Sequence, residues 1–287
     1  MSLIVVTGLA AEARIAVVGD AAIVGAGRAQ SLAQELEAAI AAGARRLLSF
    51  GIAGALVPHL QPGDLVVAHG VRDANGVFVC DPDWRGAIER RLQRPFWSDD
   101  LSSDVEASPS ALFRFGRKAG WRPVLDVAGA RRTIEIAGAE TPVADQISKA
   151  ALFAATGAVA VDMESAIVAR AARRHRLPFA ILRVVADPAH RSLPSAALVS
   201  MRPDGEVDMA GVFNALSRDP RQIAMLARLA VDARRAFAAL SRARAMLGSD
   251  FASLELEADW LERAPARRRS HSAVLAASIR GYAHDLA

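Results

Sequence analysis

The chain has 287 residues, 52% hydrophobic and only 5% aromatic, so one large core filled mainly by Ala, Val, Leu and Ile is expected. Its 35 basic and 31 acidic residues leave a net charge of +4, too small an excess for a nucleic-acid binder. The densest basic runs, at 173–176 and 267–269, do not make the stripe such a partner needs. A single cysteine, Cys80, excludes an internal disulfide, and the six histidines never fall into a metal-ligand spacing, so no metal site is expected; no organic cofactor is implied either.

The first residues lack a basic leader, and their apolar run is soon broken by Glu12 and Arg14; they read as a strand over 3–8 rather than a secretion signal, which points to a cytoplasmic protein. No stretch of about eighteen apolar residues is free of charge. A second short strand is expected at 22–25. A helix follows over 28–42, with Leu32, Leu36 and Ile40 on one face and Gly43 as its stop. Strands are expected at 46–52 and, after the Pro62-Gly63-Asp64 turn, at 65–68, with 71–79 as the partner of the latter. The charged stretch 81–104 reads as a surface excursion, and 109–119 as a helix capped by Ser108. Strand 130–137, helix 143–155, strand 158–163, helix 165–176 and strand 178–185 come next. A loop at 188–207 leads into a helical region over 209–247. Beyond it lie an acidic helix (252–263), a basic run and an apolar segment (273–279). Alternating strands and helices predict a twisted, largely parallel α/β sheet.

In such sheets ligands collect at strand ends, where loops converge and helices begin. Glu164 stands where a buried strand meets a helix, placed to accept two hydrogen bonds from a pair of hydroxyls; an acid favoured by the helix dipole is the plainer alternative. Asp187 follows an apolar strand that carries Arg183, and Pro188 holds it out of helical geometry: a candidate acid, or a turn Asp. The glycine turns Gly25-Ala26-Gly27 and Gly51-Ile52-Ala53-Gly54 allow a ligand close to the backbone.

Taken in order, Gly8…Glu12, Gly25-Ala26-Gly27-Arg28, Gly51 to Gly54, Pro62-Gly63-Asp64, Asp162-Met163-Glu164-Ser165-Ala166 and Arg183…Asp187 resemble the purine nucleoside phosphorylase family over residues 3–245. The likeness is greatest to its methylthioadenosine/S-adenosylhomocysteine nucleosidase branch. The start Gly-Leu-Ala-Ala-Glu-Ala-Arg and the stretch from Ala196 to Gly205 look like the hopanoid-associated phosphorylases, which are implicated in removing adenine from adenosylhopane.

The resemblance implies a nucleoside phosphorylase-like three-layer α/β sandwich, a twisted mixed, largely parallel sheet flanked by helices, over 1–247. A helical or partly disordered extension fills 248–287. It implies cleavage of an N-glycosidic bond, with adenine as the base and adenosylhopane as the substrate; a methylthioadenosine-type nucleosidase, or a nucleoside-binding module without activity, are the alternatives. Asp187 would feed a proton to N7 of the base, Glu164 would hold the ribose hydroxyls, and Glu12 or Arg14 would face the nucleophile. Met163 would pack on the sugar, and Arg183 and Gly51, Ile52, Ala53 and Gly54 would line the site. No aromatic stands near 138–143, which leaves Pro142 and Val143 to sandwich the base. Ser49 and Ile52 occupy the places where an Arg and a Ser hold phosphate in the phosphorylases. Phosphate, as co-substrate, would then lie on Arg14, Arg28 or Arg183, or else water is the nucleophile. A homo-oligomer is implied, and a lipid-linked substrate would bring the basic and apolar C-terminus against a membrane surface.

Overall fold

The computed structural model describes residues 3–16, 22–24, 29–93, 112–115, 121–123, 133–198 and 208–252. In chain order the elements are β1 (Leu3–Thr7), α1 (Ala10–Ala16), β2 (Ala22–Val24), α2 (Ala29–Ala41), β3 (Arg46–Ala55), β4 (Leu65–Val67), β5 (Gly70–Asp73), β6 (Gly76–Val79) and α3 (Pro82–Gln93). Then follow β7 (Leu112–Phe115), β8 (Trp121–Pro123), β9 (Glu135–Gly138), α4 (Gln146–Thr156), β10 (Ala160–Asp162), α5 (Ser165–His175), β11 (Phe179–Asp187), α6 (Ser195–Leu198), α7 (Met209–Arg218) and α8 (Gln222–Leu247).

One sheet carries all the strands, in the order β6-β5-β9-β10-β3-β11-β4-β7-β8, with β1 and β2 branching from β3. Parallel pairing joins β1 and β11 to β3; antiparallel pairing joins β10 to β3 and β4 to β11. All nine residues of β11 are buried, the pattern of a strand covered on both faces. Alternation along the strands sorts the core into two layers. Leu47, Ile181 and Val185 pack with Leu32, Leu36 and Ile40 of α2 and with the inner face of α5. Leu48, Phe50, Leu182 and Val184 pack with Trp84 and Ile88 of α3 and with Ala236, Leu240 and Ala243 of α8. The result is the expected three-layer α/β sandwich of a curled mixed sheet between helices. Local signals place the helix ends. Asp145 caps α4 by accepting from the Ser148 N–H, and Gly157 closes that helix in the left-handed region at φ 69°.

Several expectations need correction. Residues 82–93 of the supposed surface excursion form α3, which buries Trp84, Ala87, Ile88 and Leu92 along with Glu89; the charges interleaved along the helix hide its apolar stripe in the sequence. Part of the expected helix 109–119 is instead strand β7, which extends the sheet by pairing with β4. Residues 71–79 do not pair with β4: they fold into the β5–β6 hairpin, and β5 pairs with β9. Strand β9 starts at Glu135, not at 130, and α4 starts at Gln146, not at 143. Helix α1 was not anticipated, being too short for a period to register.

Past α8 the chain stays on the main body. Phe251 stacks edge-on against Phe50, with centroids 5.2 Å apart, and the Trp84 indole N–H donates to the Phe251 carbonyl at 2.9 Å. The expected acidic helix from 253 on, the basic run and the apolar segment lie outside the described residues, as do Ser108 and the Gly25-Ala26-Gly27-Arg28 turn. Among the described residues no helix is long and apolar enough to cross a membrane.

Trp84 is fully buried and ties α3 to the end of α8. Trp84→Ala should therefore cost about 3–5 kcal/mol of stability, seen as a lower urea midpoint with little change in slope; a loss under 1 kcal/mol would show that α3 is not part of the core.

Candidate active site

On the α2/α5 side of the sheet the apolar alternation is broken at two neighbouring places. Ser49 of β3 and Arg183 of β11 stand where Leu47, Ile181 and Val185 would lead one to expect further aliphatics. Both are fully buried. A buried guanidinium must find charge and acceptors, and the start of α5 supplies them. Arg183 Nε lies 2.6 Å from Asp162 Oδ2. Its Nη2 donates to Ser49 Oγ at 2.6 Å and to Glu164 Oε2 at 3.3 Å. Asp162 in turn accepts from the backbone N–H of Ser165 at 3.0 Å and from its hydroxyl, and the Ser165 and Ser49 hydroxyls are 2.9 Å apart.

Glu164 occupies the N-cap position of α5 but makes no capping bond with its side chain. Asp162 takes the capping task, which releases Glu164 toward Arg183. Glu164 is thus a buried carboxylate paired with Arg183 rather than a side-chain cap of the helix. The backbone closes on this cluster at two glycines. A Cβ on Gly8 would fall 2.7 Å from Glu164 Oε1, and one on Gly51 would fall 2.6 Å from Glu12 Oε1 and 2.7 Å from Arg183 Nη1. A side chain at either position would have to displace these carboxyl and guanidinium groups.

Glu12, in α1, is buried and joins the β1–α1 turn to β3. Its Oε2 accepts from the N–H groups of Gly8 (2.7 Å) and Leu9 (2.9 Å), and its Oε1 from that of Ile52 (2.7 Å). Burial raises its pKa, against the pull of Arg183 and of these backbone donors. Burial likewise pushes Glu164 up to about 7, opposed by Arg183 and assisted by the negative charges of Asp162 and Glu12. Burial works against the charge of Arg183, but Asp162, Glu164 and Glu12 outweigh it and its pKa rises.

Asp187 closes β11. Val185 stands opposite Ala53 and Asp187 opposite Gly54, so two steps on β11 match one on β3. This bulge holds Asp187 level with Gly54 instead of Ala55. Asp187 is buried and its Oδ2 lies 2.5 Å from Lys149 Nζ. Burial raises its pKa, countered by the Lys149 ammonium. A pocket of about 300 Å³ opens beside it, lined by Gln146, Pro188, Arg191, Leu193, Met225 and Arg228 among others.

Glu164 and Asp187 therefore flank the same run of β3: Arg183, opposite Gly51, holds Glu164 at one end, and Asp187 stands opposite Gly54 at the other. Ala53 is buried, while Ile52, Gly54 and Met163 are half-buried along this run. Val143 packs against the small cluster of Leu56, Ala137, Ala158 and Val161, and Pro142 is exposed; neither lines the pocket beside Asp187. Arg14 is exposed, and Arg28 lies outside the described residues. Sequence reasoning gave Asp162 and Ser165 no role beyond their place in the motif around Glu164, and did not single out Lys149. Asp162 three residues before the Ser165 that opens an apolar helix was a readable capping signal; Lys149 gave none beyond its place in a helix.

The family model of the Phosphorylase superfamily matches residues 2–216. The chain belongs to this superfamily. It is accordingly an enzyme of nucleoside N-glycosidic bond cleavage. Among solved structures, a methylthioadenosine nucleosidase candidate from Weissella paramesenteroides aligns with 89% of this chain and 98% of its own, at 15% identity and a TM-score of 0.51. The methylthioadenosine/S-adenosylhomocysteine nucleosidase of Neisseria meningitidis, in complex with methylthio-immucillin-A, aligns with 86% of this chain and 97% of its own, at 14% identity and a TM-score of 0.51. At such identities the likeness is one of fold. A comparison with curated proteins returns no match.

Removing the guanidinium would leave Asp162, Glu164 and Glu12 buried together. Arg183→Met should lose about 3–5 kcal/mol at neutral pH. Without Arg183, Glu12 and Glu164 have folded pKa values still further above their unfolded ones, so the penalty is present at high pH and fades as pH falls below the ordinary glutamate value of 4.5. Denaturation midpoints at pH 7 and pH 4 should show the deficit shrink; an equal deficit at both would mean that lost packing, not charge, dominates.

Proposed function

We propose that this protein hydrolyses the bond between adenine and a 5′-substituted ribose, with Glu164 on the sugar and Asp187 on the base. The observation that carries this reading is the placement of the two carboxyls at opposite ends of the Gly51–Gly54 run. Breaking the bond builds positive charge on the ribose and negative charge on the purine. A carboxylate at the 2′ and 3′ hydroxyls meets the first, and a protonated acid at N7 meets the second. Burial raises the pKa of Asp187, the direction an acid requires.

Water is the nucleophile this site favours. Arg183 is engaged by Asp162, Glu164 and Ser49, and Glu12 adds a third carboxyl beside it. A phosphate dianion there would face more negative than positive charge. Glu12 is the group we assign to orient water, held in place by its three backbone donors.

The substrate is assigned from the sequence resemblance: adenosylhopane, through the stretches around Glu12 and from Ala196 to Gly205. Methylthioadenosine is the second reading, since both structural neighbours carry that substrate in their names. Incubation with each nucleoside, with and without phosphate, followed by chromatography of base and sugar, decides among them. Adenine with free sugar, unaffected by phosphate, is the expected outcome. A sugar phosphate would reverse the choice of nucleophile, and no base from either nucleoside would remove the reading altogether.

Two further results are expected. Asp187→Asn should slow base release at least about tenfold, and unchanged turnover would take Asp187 out of the mechanism. Glu164 must be ionised to hold the sugar, and burial raises it to about 7, so kcat should climb as pH rises through that value. Glu164→Gln should lower kcat by about 10²–10³ and abolish the climb; a climb that persists in the variant belongs to another group.

A further inference from the structure

Of the chain's 35 basic residues only Lys118 and Lys149 are lysines; arginine serves everywhere else. Lys149 is also fully buried, on a helix whose neighbouring positions Ile147, Ser148 and Ala150 are exposed. Its ammonium has three N–H donors, and all three find acceptors within one five-residue turn. Nζ lies 2.5 Å from Asp187 Oδ2, 3.1 Å from the Pro188 carbonyl oxygen and 2.7 Å from the Arg191 carbonyl oxygen. Only a compact ammonium can send three donors into such a converging set; the flat fork of an arginine cannot. The clamp continues outward, since Arg191 Nη1 pairs with Asp232 Oδ2 of α8 at 2.7 Å. Among the described residues no hydrogen bond reaches Asp187 Oδ1.

We propose that Lys149 is the positioning residue for Asp187. It fixes the turn from Asp187 to Arg191, leaves Oδ1 for the departing base, and holds the negative charge that Asp187 acquires as it gives up its proton. This inference rests on the reading of Asp187 as the acid. In that step the C1′–N9 bond breaks with its electron pair passing to the purine, and the proton moves from Asp187 Oδ1 to N7. Water bonds to C1′, and the proton it releases restores the acid through solvent. The carboxylate so formed already faces an ammonium, so the negative charge arises where it is stabilised and no side chain has to move. The other charged groups around Asp187 are Arg191 from its own turn and Arg228 and Asp232 from α8. They oppose one another in sign, and Arg191 is already paired with Asp232. Lys149 is the cation in direct contact.

The test combines Lys149→Met, Asp187→Asn and the double variant, assayed by single-turnover adenine release after the wild type has been shown to turn over. Lys149→Met should lower kcat about tenfold or more with KM changed by less than about threefold, and should move the alkaline limb of the kcat profile upward by about one pH unit, since the carboxyl loses its cation. The double variant should match Asp187→Asn within about twofold, because a residue acting through Asp187 adds nothing once the acid is gone. The double variant removes both charges of the pair, so it serves even where Lys149→Met alone fails to fold. An alkaline limb that stays in place, or a double variant slower than Asp187→Asn by the full factor of the single Lys149 change, overturns the proposal. A second measurement is independent of turnover: the Asp187 carboxyl carbon, followed by ¹³C NMR, should titrate about one unit higher in Lys149→Met. An unmoved titration overturns the pairing. A moved titration in a protein that releases no base from either nucleoside overturns the proposed function, and Lys149 as a positioning residue falls with it.

Discussion

The site depends on one buried guanidinium. Arg183 stands inside the sheet, out of reach of water, and its charge is tolerable only because Asp162, Glu164 and Ser49 surround it. The same pairing works in the other direction, since three carboxyls could not be buried beside one another without it. Burial presses on both signs, and the balance leaves Glu164 near neutrality, where its charge responds to what binds. The cluster also explains why the backbone is bare around it. Gly8 and Gly51 lie against carboxyl and guanidinium atoms at distances no Cβ could occupy.

The sheet turns this cluster into one end of a longer arrangement. Strand β3 is long enough to pair with β11 along most of its length and with β10 at its far end, in opposite directions. Two strand ends, arriving from opposite sides, thus deliver Glu164 and Asp187 to the same ten-residue strand. The bulge in β11 sets Asp187 level with Gly54, and the Lys149 ammonium braces it there. The two carboxyls are both buried, yet their partners differ: Glu164 shares a delocalised guanidinium with two further carboxyls, whereas Asp187 has an ammonium largely to itself. Carboxyls in such different surroundings respond differently to a bound charge, which is what the proposed division of roles between sugar and base requires.

Much of the architecture was legible in the order of residues, and the exceptions have physical reasons. Buried parallel strands announce themselves as uninterrupted apolar runs, and so β1, β3 and β11 were readable. A helix such as α2 shows Leu32, Leu36 and Ile40 on one face. Helix α3 escaped notice because four arginine and acidic side chains over 85–91 mask the stripe of Trp84, Ala87, Ile88 and Leu92. The strand β7 was taken for helix because a four-residue strand has too few residues for a period to tell. Pairing partners were harder still. That 71–79 pairs within itself and with β9, and not with β4, is a long-range choice made by the crossover between layers.

By itself the sequence picked out the candidate residues: an acid where a buried strand enters a helix, an arginine inside an apolar strand and an acid at that strand's end. Such residues are costly to bury, and so stand out against the aliphatic background. Tertiary structure alone decided what they meet. Ser49, Asp162 and Arg183 converge across more than a hundred residues of chain, and Lys149 reaches Asp187 from a helix 38 positions away. Local spacing cannot report such meetings, because an ion pair within a sheet and its helices is set by strand order and register, which the chain acquires only on folding.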